Sequence, residues 1–146
     1  MTDQEAFSKI MEFTFEWEGR GKLHKVSGDA GGWTKWGIAS AYHPNVDVPN
    51  LTKERAMEIY YDDYWLRYKC HEKPYPSNVV CFEMAVNPGP RVLYLVPPGY
   101  DWKDLVIYRL DYYMDRIAEN PEKVKFAQGW DNRTMDLYLK ILRDEL

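Results

Sequence analysis

Apolar side chains recur at helical spacing along the first part of the chain. Within Asp3–Trp17 the positions that share one helical face are Ala6, Phe7, Ile10, Met11 and Thr14. This spacing predicts an amphipathic helix with one face turned to the core. Gly19 and Gly21 follow at once, and they end the predicted helix because glycine readily adopts the backbone conformation that closes a helix.

A different pattern follows over residues 22–38. The stretch is rich in glycine and in β-forming residues, and Gly28 and the Gly31-Gly32 pair are turn signals. It therefore predicts a small β-hairpin or meander. Pro44 and Pro49 mark a loop behind it.

Four more helices are predicted downstream, separated by proline-containing loops. Thr52 caps the first, residues 79–86 form a buried second, Asp101 caps a third that reaches Ala118, and the last spans about residues 131–146. The predicted inward positions are Ala56, Ile59, Tyr60 and Tyr64 in the first, Val106, Leu110, Met114 and Ile117 in the third, and Met135, Leu139 and Leu142 in the last. The expected fold class is mainly α (α+β), with one small β element near the N-terminus.

Length and composition fit one globular unit. A chain of 146 residues usually forms a single domain. Hydrophobic residues make up 45% and aromatic residues 16%, which is typical of a packed core. No apolar run approaches the roughly 18 residues of a membrane span. The polar, acidic N-terminal segment predicts no signal peptide, so the protein is expected in the cytoplasm after synthesis.

Charge and ligand-type residues exclude several functions. The formal net charge of −4 argues against a nucleic-acid binder, which normally carries a basic face. Cys70 and Cys81 are expected to be free thiols in a reducing compartment. His24, His43 and His71 lack the spacing of a zinc site. We therefore expect no metal and no cofactor.

Three glutamates lie near the end of the first predicted helix: Glu12, Glu16 and Glu18. At about 100° per residue, Glu18 lies about 20° from Phe7 and so on the apolar face. Glu16 and Glu12 lie about 180° and about 140° from Phe7, facing water. Burial and the negative end of the helix dipole both favour a protonated carboxyl group, which a general acid requires. The alternative is a helix-end glutamate that frays into solvent.

Asp29 and Thr34 are further candidates in the predicted β element. Asp29 precedes the diglycine, where an aspartate commonly bonds its own backbone. The functional alternative is a carboxylate that activates water or stabilises an oxocarbenium ion. Thr34 shares a strand face with Trp36 and Ile38, and its hydroxyl either holds a water molecule or packs in the sheet.

Aromatic residues surround the same region. Trp33, Trp36 and Tyr42 are suited to stacking on the apolar faces of sugar rings, and they are equally suited to packing in a core. Each of the two interpretations remains open at this stage.

Taken together, ordered segments of the chain resemble the lysozyme-like glycoside hydrolase family 108. The segments are E-G at residues 18–19, D-A-G-G-W-T at 29–34 with W-G-I at 36–38, L-T-K-E-R-A at 51–56 with I-Y at 59–60 and Y-W at 64–65, F-E-M-A-V-N-P-G-P at 82–90, and G-W-D-N-R at 129–133. The departures are Arg20 in place of a second glycine, Glu83 in place of an aspartate, and the stretch after Arg91.

The resemblance implies a lysozyme-like fold and hydrolysis of the β-1,4 bond between N-acetylmuramic acid and N-acetylglucosamine in peptidoglycan. Glu18 would be the catalytic acid, and Asn87 would contact the substrate. The chain would be one catalytic domain over 1–146, with a core at 1–90 and C-terminal helices at 91–146 that contact the wall. The implied partner is the glycan strand, met by a monomeric endolysin that waits in the host cytoplasm and acts on the cell wall.

Two other functions use the same residues. A lytic transglycosylase would also use Glu18 but would lack a partner that holds water, so Asp29 and Thr34 favour hydrolysis. A catalytically weak peptidoglycan-binding relative would be expected to lack Glu18, which is present here. The net charge of −4 argues against affinity for an anionic bacterial wall.

Overall fold

The computed structural model describes residues 1–25 and 32–146. Its first helix, α1, spans Asp3–Trp17, the bounds predicted from the apolar spacing. Thr2 forms a capping box with Glu5, in which each side chain accepts a hydrogen bond from the backbone N–H of the other. These bonds satisfy N–H groups that have no partner within the first turn of a helix.

A three-stranded antiparallel sheet follows α1 and confirms the predicted β element. Its strands are β1 (His24–Lys25), β2 (Trp33–Lys35) and β3 (Ile38–Ala39), paired in that order. The turn between β2 and β3 contains Trp36 and Gly37, with φ angles of +54° and +76°. The predicted turn signals at Gly28 and Gly31 lie outside the described residues.

The rest of the described chain is helical, which confirms the mainly α class. The α-helices are α2 (Lys53–Tyr60), α3 (Ser77–Val86), α4 (Arg91–Tyr94), α5 (Trp102–Glu119) and α6 (Ala127–Leu142). Short 3-10 turns lie at Val48–Asn50, Cys70–Glu72 and Pro121–Phe126, and a π-helical turn, Tyr61–Leu66, extends α2. No helix among the described residues is both long enough and apolar enough to cross a bilayer.

Helix α3 lies at the centre of the core. It buries eight consecutive residues, Asn78 to Ala85, and it contacts both α1 and α5. Phe82 on α3 meets Phe7 of α1 and Trp65 of the π-helical turn, with ring centroids 5.9 and 5.8 Å apart. A central helix that is buried all round is the expected consequence of an apolar segment without a polar face.

The predicted inward faces of the last two long helices are only partly right: Val106 is buried as predicted, but three other predicted positions are exposed. Met114 of α5 is 64% exposed, and Leu139 and Leu142 of α6 are 36% and 50% exposed. The residues that these helices bury are Leu105, Val106, Arg109 and Tyr113 in α5, and Arg133, Thr134, Leu137 and Ile141 in α6. Each buried face therefore includes an arginine, which apolar patterning assigns to solvent.

The two cysteines are free, as predicted. Cys70 and Cys81 are both buried, with their Sγ atoms 3.5 Å apart.

Candidate active site

A cleft of about 650 Å³ lies where the end of α1, the β2–β3 turn and the loop after α3 meet. Its polar lining consists of Glu18, Tyr42, His43, Tyr64, Arg91 and Tyr112. Over residues 1–25 and 32–146, Glu18 is the only carboxylate in that lining. The cleft therefore presents a single described acid beside several aromatic rings.

Glu18 is held at the C-terminal end of α1. Its backbone N–H donates to the carbonyl of Thr14 at 2.9 Å, which continues the helical pattern by one residue. Gly37 allows the β2–β3 turn to approach closely, because a Cβ there would overlap the Tyr60 hydroxyl and lie 2.9 Å from Glu18 Cγ. The Tyr60 hydroxyl donates to the carbonyl of Trp36 at 2.8 Å and fixes the turn from the other side.

The other two glutamates near the C-terminal end of α1 point away from the cleft, as the helical geometry predicted. Glu16 forms ion pairs with Arg20 and Lys140, and Glu12 forms one with Lys53 at 2.9 Å. The side chain of Glu18 is 24% exposed and is held by Arg133, so it does not fray into solvent.

Arg133 of α6 connects Glu18 to a second, fully buried carboxylate. Its Nη1 donates to Glu18 Oε1 at 2.8 Å, while its Nε and Nη2 donate to the two oxygens of Glu83. Arg109 Nη2 also donates to Glu83 Oε1 at 3.3 Å, and the Thr14 hydroxyl donates to Glu83 Oε2 at 2.9 Å. We call these four charged residues, Glu18, Glu83, Arg109 and Arg133, the buried quartet.

The buried quartet is electrically balanced, with two carboxylates and two guanidinium groups. Burial raises the pKa of Glu83, but the charges of Arg133 and Arg109 outweigh burial and hold that pKa below its ordinary value. Burial lowers the pKa of Arg133, whereas the Glu83 and Glu18 carboxylates raise it, and the raising effect is larger. Glu83 is therefore ionised and Arg133 protonated at neutral pH.

His43 and Tyr64 also line the cleft. The Tyr64 hydroxyl and His43 Nε2 are 3.5 Å apart, and Asp63 Oδ2 lies 3.9 Å from His43 Nδ1. Burial lowers the pKa of His43, and the Asp63 carboxylate opposes that shift only in part. Burial also raises the pKa of Tyr64. Both side chains are therefore neutral near pH 7.

The structure brings only some of the predicted site residues to the cleft. Glu18 and Tyr42 line it, and Tyr42 is 84% exposed. Thr34 lies in β2, where it pairs with His24 and Ala39, and it is not part of the lining. Asp29 lies outside the described residues, so its role stays a prediction.

The predicted sugar-stacking tryptophans and Asn87 are not part of the cleft lining. Trp36 packs edge-on against Phe15 with ring centroids 4.8 Å apart. Trp33 is half-buried against the core. Asn87 follows α3, and its side-chain oxygen accepts a hydrogen bond of 2.6 Å from the Tyr113 hydroxyl. Their roles in substrate binding stay predictions.

Apolar patterning did not identify Arg133, Arg109 or His43, and it predicted Tyr64 only as an inward position of a helix. Arg133 and Glu83 do occur in the two segments, G-W-D-N-R and F-E-M-A-V-N-P-G-P, that carry part of the family resemblance. A buried ion pair between Glu83 in one segment and Arg133 in the other could have been predicted from these two segments.

Comparison with known protein families identifies the chain. The model of the family described as glycosyl hydrolase 108 matches residues 11–89, which is more than half of the 146 residues. The chain therefore belongs to glycosyl hydrolase family 108, and this membership indicates a glycoside hydrolase. The matched range includes Glu18 and Glu83 but ends before Arg109 and Arg133. Comparison with curated proteins and with solved structures returned no match.

Proposed function

We propose that the protein hydrolyses the β-1,4 bond between N-acetylmuramic acid and N-acetylglucosamine in peptidoglycan, with Glu18 as the general acid. The observation that carries this proposal is the position of Glu18 in a large open cleft, where one carboxylate oxygen is anchored and the other is not. Family membership supports the reaction class.

The contacts of Glu18 suit proton donation to a leaving group. Arg133 holds Oε1, whereas Oε2 accepts no hydrogen bond from any described residue. A proton on Oε2 can pass to the glycosidic oxygen as the bond from that oxygen to the anomeric carbon breaks. Glu18 then becomes a carboxylate, and the guanidinium of Arg133 already lies 2.8 Å away to stabilise the charge that develops.

Arg133 is itself fixed by the carboxylate of Glu83. Two of its nitrogen atoms are committed to Glu83, so the third is directed at Glu18 without any rearrangement. Part of its positive charge is balanced by Glu83. Glu18 is therefore oriented by an arginine whose charge is shared with a second carboxylate. Glu83 and Arg133 act here as positioning residues.

Water completes the proposed reaction by adding to the anomeric carbon. We propose that Asp29 activates this water or stabilises the oxocarbenium ion. The aromatic rings of Tyr42, Tyr64 and Tyr112 in the cleft lining are suited to stacking on sugar rings. Cleavage of the glycan weakens the wall, and the cellular activity that we propose is bacterial lysis by an endolysin.

The products of digestion test the reaction. Purified protein is incubated with peptidoglycan and the released fragments are weighed by mass spectrometry. Fragments with a reducing-end muramic acid support hydrolysis. Fragments with an anhydro-muramic acid would instead establish a lytic transglycosylase, and no release would indicate a binding protein.

The variant Glu18→Gln tests the assignment of the acid. It keeps the size of the side chain and removes the transferable proton, so activity should fall at least about 100-fold. Circular dichroism should show an unchanged fold. Glu16→Gln is the matched control, since Glu16 lies two residues away on the outer face, and it should change activity little. Near-normal lysis by Glu18→Gln would contradict the proposal.

A further inference from the structure

A second cavity, of about 340 Å³, has no lining residue in common with the active-site cleft. Three cationic side chains line it: Arg67, Lys69 and Lys73. All three are exposed, and within the described part of the chain none of them forms an ion pair. We call this space the basic cavity.

The basic cavity contrasts with the charge of the whole chain. The formal net charge is −4, so three unpaired cations around one space are a local excess of positive charge. The acid nearest to them in the sequence, Glu72, has its carboxylate 3.9 Å from His71 Nε2. The cavity is therefore suited to an anionic group on a ligand.

The rest of the lining is apolar or aromatic, apart from the buried thiol of Cys81. Leu93, Val96 and Leu105 contribute alkyl surface, and Leu105 is buried. Tyr68 and Tyr94 contribute rings. A small inorganic anion needs only the cations, whereas a ligand that carries both carboxylates and alkyl chains would use the whole lining.

A row of rings leads from the active-site cleft to the basic cavity. It runs from His43 to Tyr64, then to Tyr68, then to Tyr94, with successive ring centroids 6.4, 6.3 and 6.5 Å apart. His43 and Tyr64 line the cleft, and Tyr68 and Tyr94 line the cavity. Helix α4 also joins the two, because Arg91 at its start lies in the cleft and Tyr94 at its end lies in the cavity.

We propose that the basic cavity binds a carboxylate-bearing peptide stem of peptidoglycan while the cleft holds the glycan strand from which that stem branches. This proposal rests on the proposed function. Arg67, Lys69 and Lys73 would donate hydrogen bonds to the stem carboxylates, and Leu93 and Val96 would contact its alkyl chains. The net negative charge of the chain opposes binding to an anionic wall. The three cations of the basic cavity would supply a local attraction that offsets this repulsion.

Binding of a soluble peptide stem, without any sugar, tests the proposal independently of catalysis. The stem is titrated into the full chain in a calorimeter. The double variant Arg67→Gln/Lys73→Gln should bind it about tenfold more weakly, because it removes two of the three cations that would pair with the stem carboxylates. The double variant Lys125→Gln/Arg143→Gln makes the same change in charge at exposed residues outside the cavity, and it should bind like the wild type. Thermal melts check that both variants fold.

Three binding results would overturn the proposal. They are no binding of the stem to the wild-type chain, equal weakening in the two double variants, and binding of inorganic phosphate as tight as that of the stem. The last would identify a general oxyanion site. Because calorimetry requires no turnover, this binding test of the proposal remains valid even if the protein does not cleave peptidoglycan.

Activity on two substrates provides the second measurement. On stem-bearing peptidoglycan, Arg67→Gln/Lys73→Gln should raise KM about tenfold and leave kcat unchanged. On glycan from which an amidase has removed the stems, the same variant should match the wild type. An equal effect on both substrates would overturn the proposal. A wild-type protein that cleaves neither substrate would contradict the proposed function. The binding measurement would then decide whether the basic cavity binds the peptide stem.

Discussion

Glu83 shows how one buried carboxylate can determine the surroundings of another residue. An isolated charge in a protein interior is strongly unfavourable, so a buried acid requires cations and hydrogen-bond donors around it. Glu83 obtains them from Arg109, Arg133 and Thr14, which come from three different helices. Arg133 donates to Glu18 with its remaining nitrogen. The ion pair that Glu83 requires therefore also fixes the position of Glu18, the proposed general acid.

The variant Glu83→Gln should destabilise the protein by about 3 to 5 kcal/mol, because it leaves two buried arginines with one carboxylate fewer. Urea unfolding at pH 7 measures the loss. Glu12→Gln is the control, since Glu12 is an exposed acid of an ion pair, and it should change the free energy of unfolding by less than about 1 kcal/mol.

The difference in stability between the wild type and Glu83→Gln should depend on pH, and the lowered pKa of Glu83 gives the direction of that dependence. The pKa of Glu83 is lowered in the folded state, so its contribution to stability is complete above the unfolded pKa of about 4.3. It is lost as the pH falls through the folded pKa. The difference in stability between wild type and Glu83→Gln should therefore shrink below about pH 4. A difference that stays constant on acidification, or that is absent at pH 7, would contradict the assignment.

His43 permits a direct measurement inside the cleft. Its pKa is lowered because burial disfavours the charged imidazolium. Its contribution to stability is therefore complete above the unfolded pKa of about 6.5 and is lost as the pH falls from there through the folded pKa. An NMR titration of the His43 ring should show a midpoint below about 6.5.

Asp63→Asn is the informative comparison for that titration. The Asp63 carboxylate is the charge that raises the pKa of His43, so its removal should move the midpoint still lower. A midpoint that rises in the variant would show that the Asp63 carboxylate does not raise the pKa of His43, and a wild-type midpoint at or above about 6.5 would show that burial does not govern it.

At the scale of elements, the β2–β3 turn matters because it closes on the end of α1. Gly37→Ala adds a Cβ at a φ of +76°, where a side chain strains the backbone, and directs it at Tyr60 and Glu18. We expect a loss of stability of at least about 1 kcal/mol together with a fall in lysis. Thermal melts and a lysis assay measure the two effects.

Gly129→Ala is the matched control for this turn. Gly129 lies in the first turns of α6, where no atom is within 4 Å of an added Cβ. Alanine is the better helix former, so this variant should be neutral or more stable by up to about 1 kcal/mol. Equal behaviour of the two alanine variants would show that the close approach at Gly37 is not required.

Local sequence patterns predicted some elements well because those elements depend on near neighbours. The bounds of α1 followed from apolar spacing and the glycines behind it, and the position of Glu18 followed from counting turns along α1. Thr52 was predicted as a cap, and its side chain accepts a hydrogen bond from the N–H of Arg55. Short-range geometry suffices for features of this kind.

The complete inward faces of α5 and α6 could not be predicted from local spacing alone. Patterning places leucine and methionine inside and arginine outside, but Arg109 and Arg133 turn inward to a carboxylate that lies 26 and 50 residues earlier. In α6 the buried positions near Arg133 are Thr134 and Leu137, so Leu139 is left at the surface. The half of the site that binds Glu18 therefore depends on tertiary contacts, and only a pairing of Glu83 with the later arginines would have indicated it.

At the scale of the whole molecule, the buried quartet joins the two ends of the chain. The predicted division assigned catalysis to residues 1–90 and wall contact to residues 91–146, and the family match likewise ends at residue 89. In the structure, however, α6 supplies the guanidinium that holds Glu18, and the same core contains residues from both parts. We infer that the C-terminal helices are needed for the geometry of the site, whatever else they contact.

A chain that ends at Gly99 should therefore be inactive. Without α5 and α6, Glu83 loses both arginine partners and Glu18 loses its anchor, while the core loses apolar residues that include Leu105 and Leu137. The fragment should show no cooperative thermal unfolding and no lysis.

The control is the complete chain with a protease site inserted after Gly99, in an exposed loop where no atom is within 4 Å of an added Cβ. After cleavage both parts remain present, and the buried contacts between them should keep the protein folded and active, because a single cut in an exposed loop removes no core contact. Activity in the fragment alone would show that Arg133 does not position Glu18, and loss of activity on cutting the loop would show that chain continuity, and not the quartet, maintains the site.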